Sequence, residues 1–470
     1  MIKQLQNSFF YFSILVFGAI ISSQLYLIYA FPSLGPDSGF YLKISYDLAH
    51  GLSFFNEINC SYTPLALYLN SIPFYLLEDP GLPLVFSFFL LMYLGIAIVF
   101  YKLSFYFNPN KKVNIFFTLL LVCSLLQLEG IHILLEPYVL LFQLTALYFL
   151  FRFKSKDRAQ IIVGFFVFLA FYSKQYGIFV LPAIAYFNYK ESLSFRHFLR
   201  KTGLMILGML LPVFVLVIYF CGVKGVGIID FLNQLLGVPA LKGDELITNL
   251  DYSYIGLRNS FKKLYRIFPF VLLLGYFIFG FFKRKIKKET IFTGILLISS
   301  LSILNFAFYL HYYQLIVIYI ILCILTVHRD FTKFEYLFIA LIFLFFMKSS
   351  YSEYRKTFNY KEGLYIEQKK SLKQLEPYLK KGDLVYLEGI SPAYYFLAKY
   401  KSPNLKTLGY KFPSELTLRK IDNELPQGSF IVLSQEFRNN VIFKDYRIIQ
   451  KLELIAGKVL ILEKINSSNE

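Results

Sequence analysis

Apolar runs long enough to cross a bilayer recur along the first three-quarters of this chain, and no other feature restricts its fold so far. A helix needs about 20 apolar residues to span the hydrocarbon core. Runs near that length fall at roughly 8–30, 82–101, 113–128, 134–151, 160–173, 176–189, 202–221, 265–282, 290–310, 312–327 and 334–348. Backbone in lipid has no water to bond to, so such runs predict helices. Composition agrees: of 470 residues 57% are hydrophobic and 17% charged, with mean hydropathy +0.54. That is too apolar for an ordinary soluble protein, and the reading is an all-α polytopic membrane protein of about 11 transmembrane helices. The start, Lys3 followed by an apolar run, resembles a secretory signal. The run is too long for one, and Ile28-Tyr29-Ala30 is not a small-x-small cleavage site, so it is read as the first span.

The net charge of +18 would suit a nucleic-acid partner, but most of the excess sits in short clusters between apolar runs, where basic residues fix membrane orientation. Nucleic-acid binding is therefore excluded. Loops on one side, holding clusters such as Lys111-Lys112, Arg152 to Arg158, Lys190 to Lys201 and Lys283 to Lys288, carry eighteen Lys and Arg against eight on the other. The bias places the N-terminus in the cytoplasm and the loops at 31–80 and 222–264 outside. It also splits 160–189 into two spans that meet at Lys174, because one helix there would put the later clusters on the wrong face. Four cysteines lie scattered with no C-x-x-C pair, so neither a disulfide framework nor a zinc site is indicated.

After about residue 350 the pattern changes. Short apolar runs at Leu384-Val385-Tyr386-Leu387, Phe430-Ile431-Val432-Leu433 and Val459-Leu460-Ile461-Leu462 stand between Gly, Pro and charged stretches. The expected organisation is a transmembrane domain over 1–349 and a small C-terminal α/β extracytoplasmic domain over 350–470. Within the first outer loop, 62–77 is apolar enough to lie as a helix along the membrane interface.

Chemistry concentrates in that loop. Gly35-Pro36-Asp37-Ser38-Gly39-Phe40-Tyr41 follows the first span directly, so Asp37 stands where a helix leaves the membrane. A carboxylate at that depth is costly unless it works or is paired. The turn-forming residues around it predict a sharp fold that fixes the side chain's direction. The competing reading is a plain cap of the following helix, which an Asp also suits.

The layout and five short motifs together resemble the GT-C superfamily of membrane glycosyltransferases, the group of protein O-mannosyltransferases and lipid A aminoarabinose transferases. The motifs are Pro36-Asp37-Ser38-Gly39-Phe40-Tyr41, Tyr62-Thr63-Pro64-Leu65, Leu135-Glu136-Pro137-Tyr138, Ser173-Lys174-Gln175-Tyr176-Gly177 and His311-Tyr312-Tyr313. The resemblance covers about 10–350 and rests on their order and common membrane face. It implies transfer of a sugar from a polyprenyl phosphate to an acceptor hydroxyl at the outer face, usually with inversion. Asp37 would match the catalytic acidic residue that takes the acceptor's proton. Many relatives carry a second acidic residue directly after it; this chain has Ser38, which puts a metal site in doubt.

Six further residues are substrate-binding candidates. Lys174 suits a lipid phosphate, against the alternative of a snorkelling lysine at a helix end. His311, among tyrosines, suits a phosphate or sugar equally with an interfacial aromatic belt. Glu136, expected in an outer turn before Pro137, suits an acceptor or a metal, and as a helix-start carboxylate it would be unremarkable. Arg258 in the second outer loop could reach a phosphate bidentately, with a solvated loop cation as the stronger alternative. Tyr41 and Tyr62 are aromatic surfaces for a sugar or isoprenoid. No cofactor follows from the residues; Glu129, His132 and Glu136 share a segment that would offer ligands to a divalent metal, without a spacing signature. The reading is a polyprenyl-phosphate-dependent glycosyltransferase of the bacterial cytoplasmic membrane, acting on a cell-envelope glycan, lipid or protein. A lipid or polysaccharide transporter and an O-antigen polymerase or ligase are the rivals. The first would show internal hydropathy repeats; the second would show a large outer loop rich in Arg and His, and 222–264 has no His.

Overall fold

A computed structural model describes residues 2–30, 33–54, 58, 63–77, 80–130, 132–235, 268, 271–276, 278–280, 282, 287–305, 310–327, 332, 335–339, 341, 364–388, 391, 393–401, 425–434, 446–454 and 457–465. It divides into two compact units, Met1–Leu27 with Tyr62–Ala66 and Phe86–Glu353, and Ile28–Ser61 with Leu67–Val85 and Tyr354–Glu470.

The first unit is a helical bundle. Its chain runs through α1 (Ile2–Ala30, whose last turn belongs to the second unit), then on past α2 (Pro36–Ala49) and α3 (Leu65–Leu76) to α4 (Leu82–Ser104). The series continues with α5 (Lys111–Leu125), α6 (Glu136–Arg152), α7 (Ala159–Ser173), α8 (Leu181–Lys190), α9 (Phe195–Val217), α10 (Ile228–Leu235), α11 (Lys288–Leu301) and α12 (Tyr313–Val327). Among the described residues four helical stretches are long and apolar enough to cross a membrane: Phe10–Ala30, Leu82–Ser104, Lys111–Leu128 and Phe195–Val223. Others, including α7 and α12, are apolar but shorter. The protein is a multi-pass membrane protein on this evidence.

Starts and stops follow local chemistry. Asn110 caps α5 by accepting from the backbone N–H groups of Lys112 and Val113, and Ser194 caps α9 through His197 N. The expected break at Lys174 is present: α7 ends at Ser173, Lys174 is extended (φ −164°, ψ 140°), and a 3-10 turn over Gln175–Val180 leads into α8.

Glycines set a close crossing of α7 and α9. A Cβ on Gly164 of α7 would lie 1.9 Å from Met205 O of α9, and one on Gly208 would lie 2.0 Å from Ile161 O. Only bare backbone fits at both points, the device by which apolar helices pack without a hydrophobic driving force between them. Every residue of α12 is buried. Its polar side chains bond to neighbouring helices: Gln314 donates to Leu128 O (2.8 Å), within the π-helical turn Leu126–Gly130, and Tyr319 OH donates to Gln143 Oε1 (2.8 Å) of α6.

The second unit contains α2, most of α3, and the chain after residue 353. Helix α13 (Leu364–Leu375), strand β1 (Val385–Glu388) and helix α14 (Ala393–Leu397) precede β2 (Phe430–Ser434), β3 (Tyr446–Leu454) and β4 (Gly457–Lys464). The sheet order is β1-β2-β4-β3, with β1 parallel to β2 and the other pairs antiparallel. Three strands coincide with the apolar runs of the sequence. β3 was not among them, because it is an edge strand whose residues are mostly half-exposed, and it is broken by a register shift between Ile448 and Gln450.

Candidate functional site

In the bundle, five chemistry-bearing residues come together from three stretches of chain. Glu136 occupies the first turn of α6, beside Pro137, whose missing N–H costs nothing at a helix start. The expected outer turn is thus already helix. Glu136 is fully buried, and Lys174, delivered by the break between α7 and the 3-10 turn, is 4% exposed. Lys174 Nζ donates to Glu136 Oε1 at 2.6 Å, and Tyr176 OH donates to the same oxygen. A second 3-10 turn, Leu310–Tyr312, brings His311 Nε2 to 3.7 Å from Glu136 Oε1 and Tyr312 OH to 3.4 Å from Lys174 Nζ. The rings of Tyr176 and Tyr312 stand at 87° to each other, 5.1 and 4.8 Å from the ammonium. Those distances suit cation–π attraction.

Removing both charges from water costs several kcal/mol per ion, and an apolar pair of similar volume would be about as stable. The pair is therefore poor evidence for stability, and it marks a candidate site. Its one unmatched feature is Glu136 Oε2, buried with no hydrogen-bond partner among the described residues. A further layer shapes the Lys174 turn: Gln143 Nε2 donates to Gly177 O at 3.0 Å while Tyr319 holds its other end. Gly177 lies so close to the end of α7 that a Cβ there would be 2.2 Å from Ala170 O.

In the second unit, α2 begins at Gly35 as N-cap, with Pro36 in the first turn and Gly39 N bonded to Gly35 O (2.9 Å). Asp37 is thus inside the first turn and is not the cap. It is exposed, and no described residue hydrogen-bonds its carboxylate. The sharp turn expected around it is instead a helix start. Tyr41 is 2% exposed, its carbonyl accepting from Ser45 Oγ and its ring edge-on to Phe40, so it packs in the core of this unit instead of offering an open face. Lys43 and Asp47 pair on the same helix. Burial pulls the Lys43 ammonium below its ordinary value and pushes the Asp47 carboxyl above its own, each against their mutual attraction.

Tyr62, Arg258 and the side chain of Glu129 lie outside the described residues. Among the described residues no group of three or more His, Cys, Asp or Glu could hold a metal. Glu136 and His311 alone offer two ligands, with an ammonium already seated on the carboxylate.

Tyr176 and Tyr312 stand in the motifs without a role assigned to them, and Gln143, Gln314 and Tyr319 were passed over altogether. The available signal was a polar side chain within an apolar helix, which usually marks a helix contact.

Residues 61–220 match a family model described as dolichyl-phosphate-mannose-protein mannosyltransferase. The chain resembles the GT-C membrane glycosyltransferases. The matched segment, about a third of the chain, holds Glu136, Lys174 and Tyr176, and it bears out the resemblance read from the motifs. No curated protein matches the chain. Among solved structures it is similar to ArnT from Cupriavidus metallidurans in the apo state (12% identity, 96% of this chain and 97% of that one, TM-score 0.48). The same enzyme bound to undecaprenyl phosphate gives 13% identity over the same shares and TM-score 0.48. The Archaeoglobus fulgidus oligosaccharyltransferase, tethered with an acceptor peptide containing the NVT sequon, gives 12%, 97% of this chain, 75% of that one, and 0.49. Likenesses this distant transfer no residue role.

Proposed function

We propose that this chain is an integral membrane glycosyltransferase of GT-C type. It transfers a sugar from a polyprenyl-phosphate donor to an acceptor hydroxyl of a cell-envelope glycan, lipid or protein. The observation that carries the reading is that the segment matched by a lipid-phosphate-sugar transferase family supplies Glu136, Lys174 and Tyr176 to one buried charged cluster. Neither the transporter nor the polymerase reading gains any observation of its own.

In this reading Asp37 takes the acceptor's proton as its oxygen attacks the anomeric carbon, a role typically worth about 10²–10⁴-fold. The bond from that carbon to the phosphate oxygen breaks on the opposite side, inverting the centre, and the polyprenyl phosphate leaves with the electron pair. Lys174 stabilises the charge that develops on the departing phosphate. Glu136, Tyr176 and Tyr312 hold the ammonium in place before the lipid arrives, and His311 adds a donor beside them. The chain crosses the cytoplasmic membrane with about eleven spans, N-terminus inside, and its C-terminal residues face the exterior.

The test is mass spectrometry of envelope glycolipids and glycans from a deletion strain. One missing sugar and an accumulated polyprenyl-linked donor are expected, both restored by the parent gene and not by Asp37→Asn. An unchanged glycan and lipid profile overturns the assignment.

A further inference from the structure

The short segment that introduces Asp37 has no cap of its own. Gly35 occupies the N-cap position of α2, and a glycine has no side chain to accept from the first N–H groups. What fixes the segment comes from far along the chain. Gln368 of α13, 334 positions later, accepts from Leu34 N through Oε1 (3.2 Å) and donates to Leu34 O through Nε2 (2.6 Å). A single backbone residue presenting both a donor and an acceptor also settles which way round the amide sits. Gln368 is 5% exposed and Leu34 is fully buried, so neither group has water as an easy substitute.

A second contact, independent of the first, fixes the helix that follows. A Cβ on Gly39 would lie 2.4 Å from Ala393 Cα, so α14 meets α2 backbone to backbone at the turn carrying Asp37. Phe396 stands edge-on to Tyr46 of α2 and Phe74 of α3. α14 is in turn tied to the sheet, because Leu387 N of β1 donates to the hydroxyl of Tyr395.

We infer that the chain beyond residue 353 is part of the catalytic apparatus: through Gln368 and the Ala393 contact it aims the Asp37 carboxylate, and Gln368 is a positioning residue for transfer. The inference rests on the reading of Asp37 as the base. A helix start held at Leu34 on one side and Gly39 on the other has little freedom to rotate, and misplacing a reacting group by about 1 Å can cost about 10²-fold in rate.

The test uses the full-length protein in detergent or nanodiscs. Gln368→Met keeps the volume and removes both bonds. It should lower kcat about 10- to 100-fold while the KM and Kd for the lipid donor hold, and it should speed amide hydrogen exchange in residues 33–39. Gln368→Glu keeps the acceptor for Leu34 N and loses the donor to Leu34 O, so its kcat should fall between the two; it carries the test alone if the Met variant does not accumulate. Parental kcat in either well-inserted variant, or a rise in KM in place of a fall in kcat, overturns the inference. The two readings fail separately. Near-parental turnover by Asp37→Asn removes the base whatever Gln368 does, whereas an inactive Asp37→Asn beside a parental Gln368→Met removes only the positioning role.

Discussion

Two carboxylates stand beside a proline in the first turn of a helix, Asp37 after Pro36 in α2 and Glu136 before Pro137 in α6, and the fold treats them oppositely. Asp37 is exposed without a hydrogen-bonding partner among the described residues; Glu136 is fully buried under Lys174, Tyr176 and His311. The local sequence gives each the same helix-dipole advantage of a few tenths to about 1 kcal/mol. The difference teaches that position at a helix start does not assign a carboxylate's work. An unpaired, solvent-reached carboxylate can exchange protons. The buried one is clasped by an ammonium, and in the proposed reaction it places that cation.

The sharpest way to break the contrast is Asp37→Asn. Asn keeps the size and loses the proton-accepting charge, so transfer by purified enzyme should drop about 10²–10⁴-fold. Membrane level and donor-lipid binding should stay parental. Near-parental turnover at equal folded amount would falsify the catalytic assignment.

For the other member, stability is the first readout. Lys174→Met leaves Glu136 buried and uncompensated and should cost about 3–5 kcal/mol, seen as a lower melting temperature in detergent, together with weaker donor binding. Lys174→Met combined with Glu136→Leu should recover most of the stability and none of the donor binding. If the double variant is no more stable than the single one, the pair is not an isolated two-charge unit.

A smaller effect is expected one layer out. Gln143→Leu strands Gly177 O and Tyr319 OH, each now satisfied by that amide, and should cost roughly 1–3 kcal/mol. It should also weaken donor binding, because Gly177 lies in the turn that follows Lys174, its N–H bonded to Lys174 O.

Asp157, between α6 and α7, is the intermediate case: half-buried and paired, with His197 Nε2 2.9 Å away. That hydrogen bond, chiefly, holds its carboxyl below the ordinary carboxylate value. A depressed value contributes stability above the unfolded value near 4, and the contribution is lost as pH falls through the folded value. Asp157→Asn should therefore melt lower than the parent at neutral pH by at most about 1 kcal/mol, and the gap should close below about pH 4. A gap that widens on acidification rules this account out.

Much of the architecture was readable from residues alone. Span positions at α1, α4, α5 and α9, the chain break at Lys174 and three of four strands follow from the length of apolar runs and the sign of the loops between them, which are local properties. The candidate site was readable only as separate points. Lys174 stood out because charge in an apolar surround is costly, Glu136 as an acidic residue before a proline and His311 by its flanking tyrosines, but their meeting did not, since 38 positions separate the first two and another stretch of chain supplies the third.

What only the tertiary structure decided is which apolar surface faces protein and which faces outward. The best apolar window of Phe195–Val223 is 17% buried inside the structure, while α12, equally apolar to the eye, is buried throughout. Hydropathy measures the cost of water and not the identity of the apolar neighbour, so lipid and a packed helix look the same to it. The Gln368–Leu34 pair is the same lesson in polar form: an amide and a peptide group bond wherever packing brings them together. No pattern in either segment could announce a partner 334 residues away.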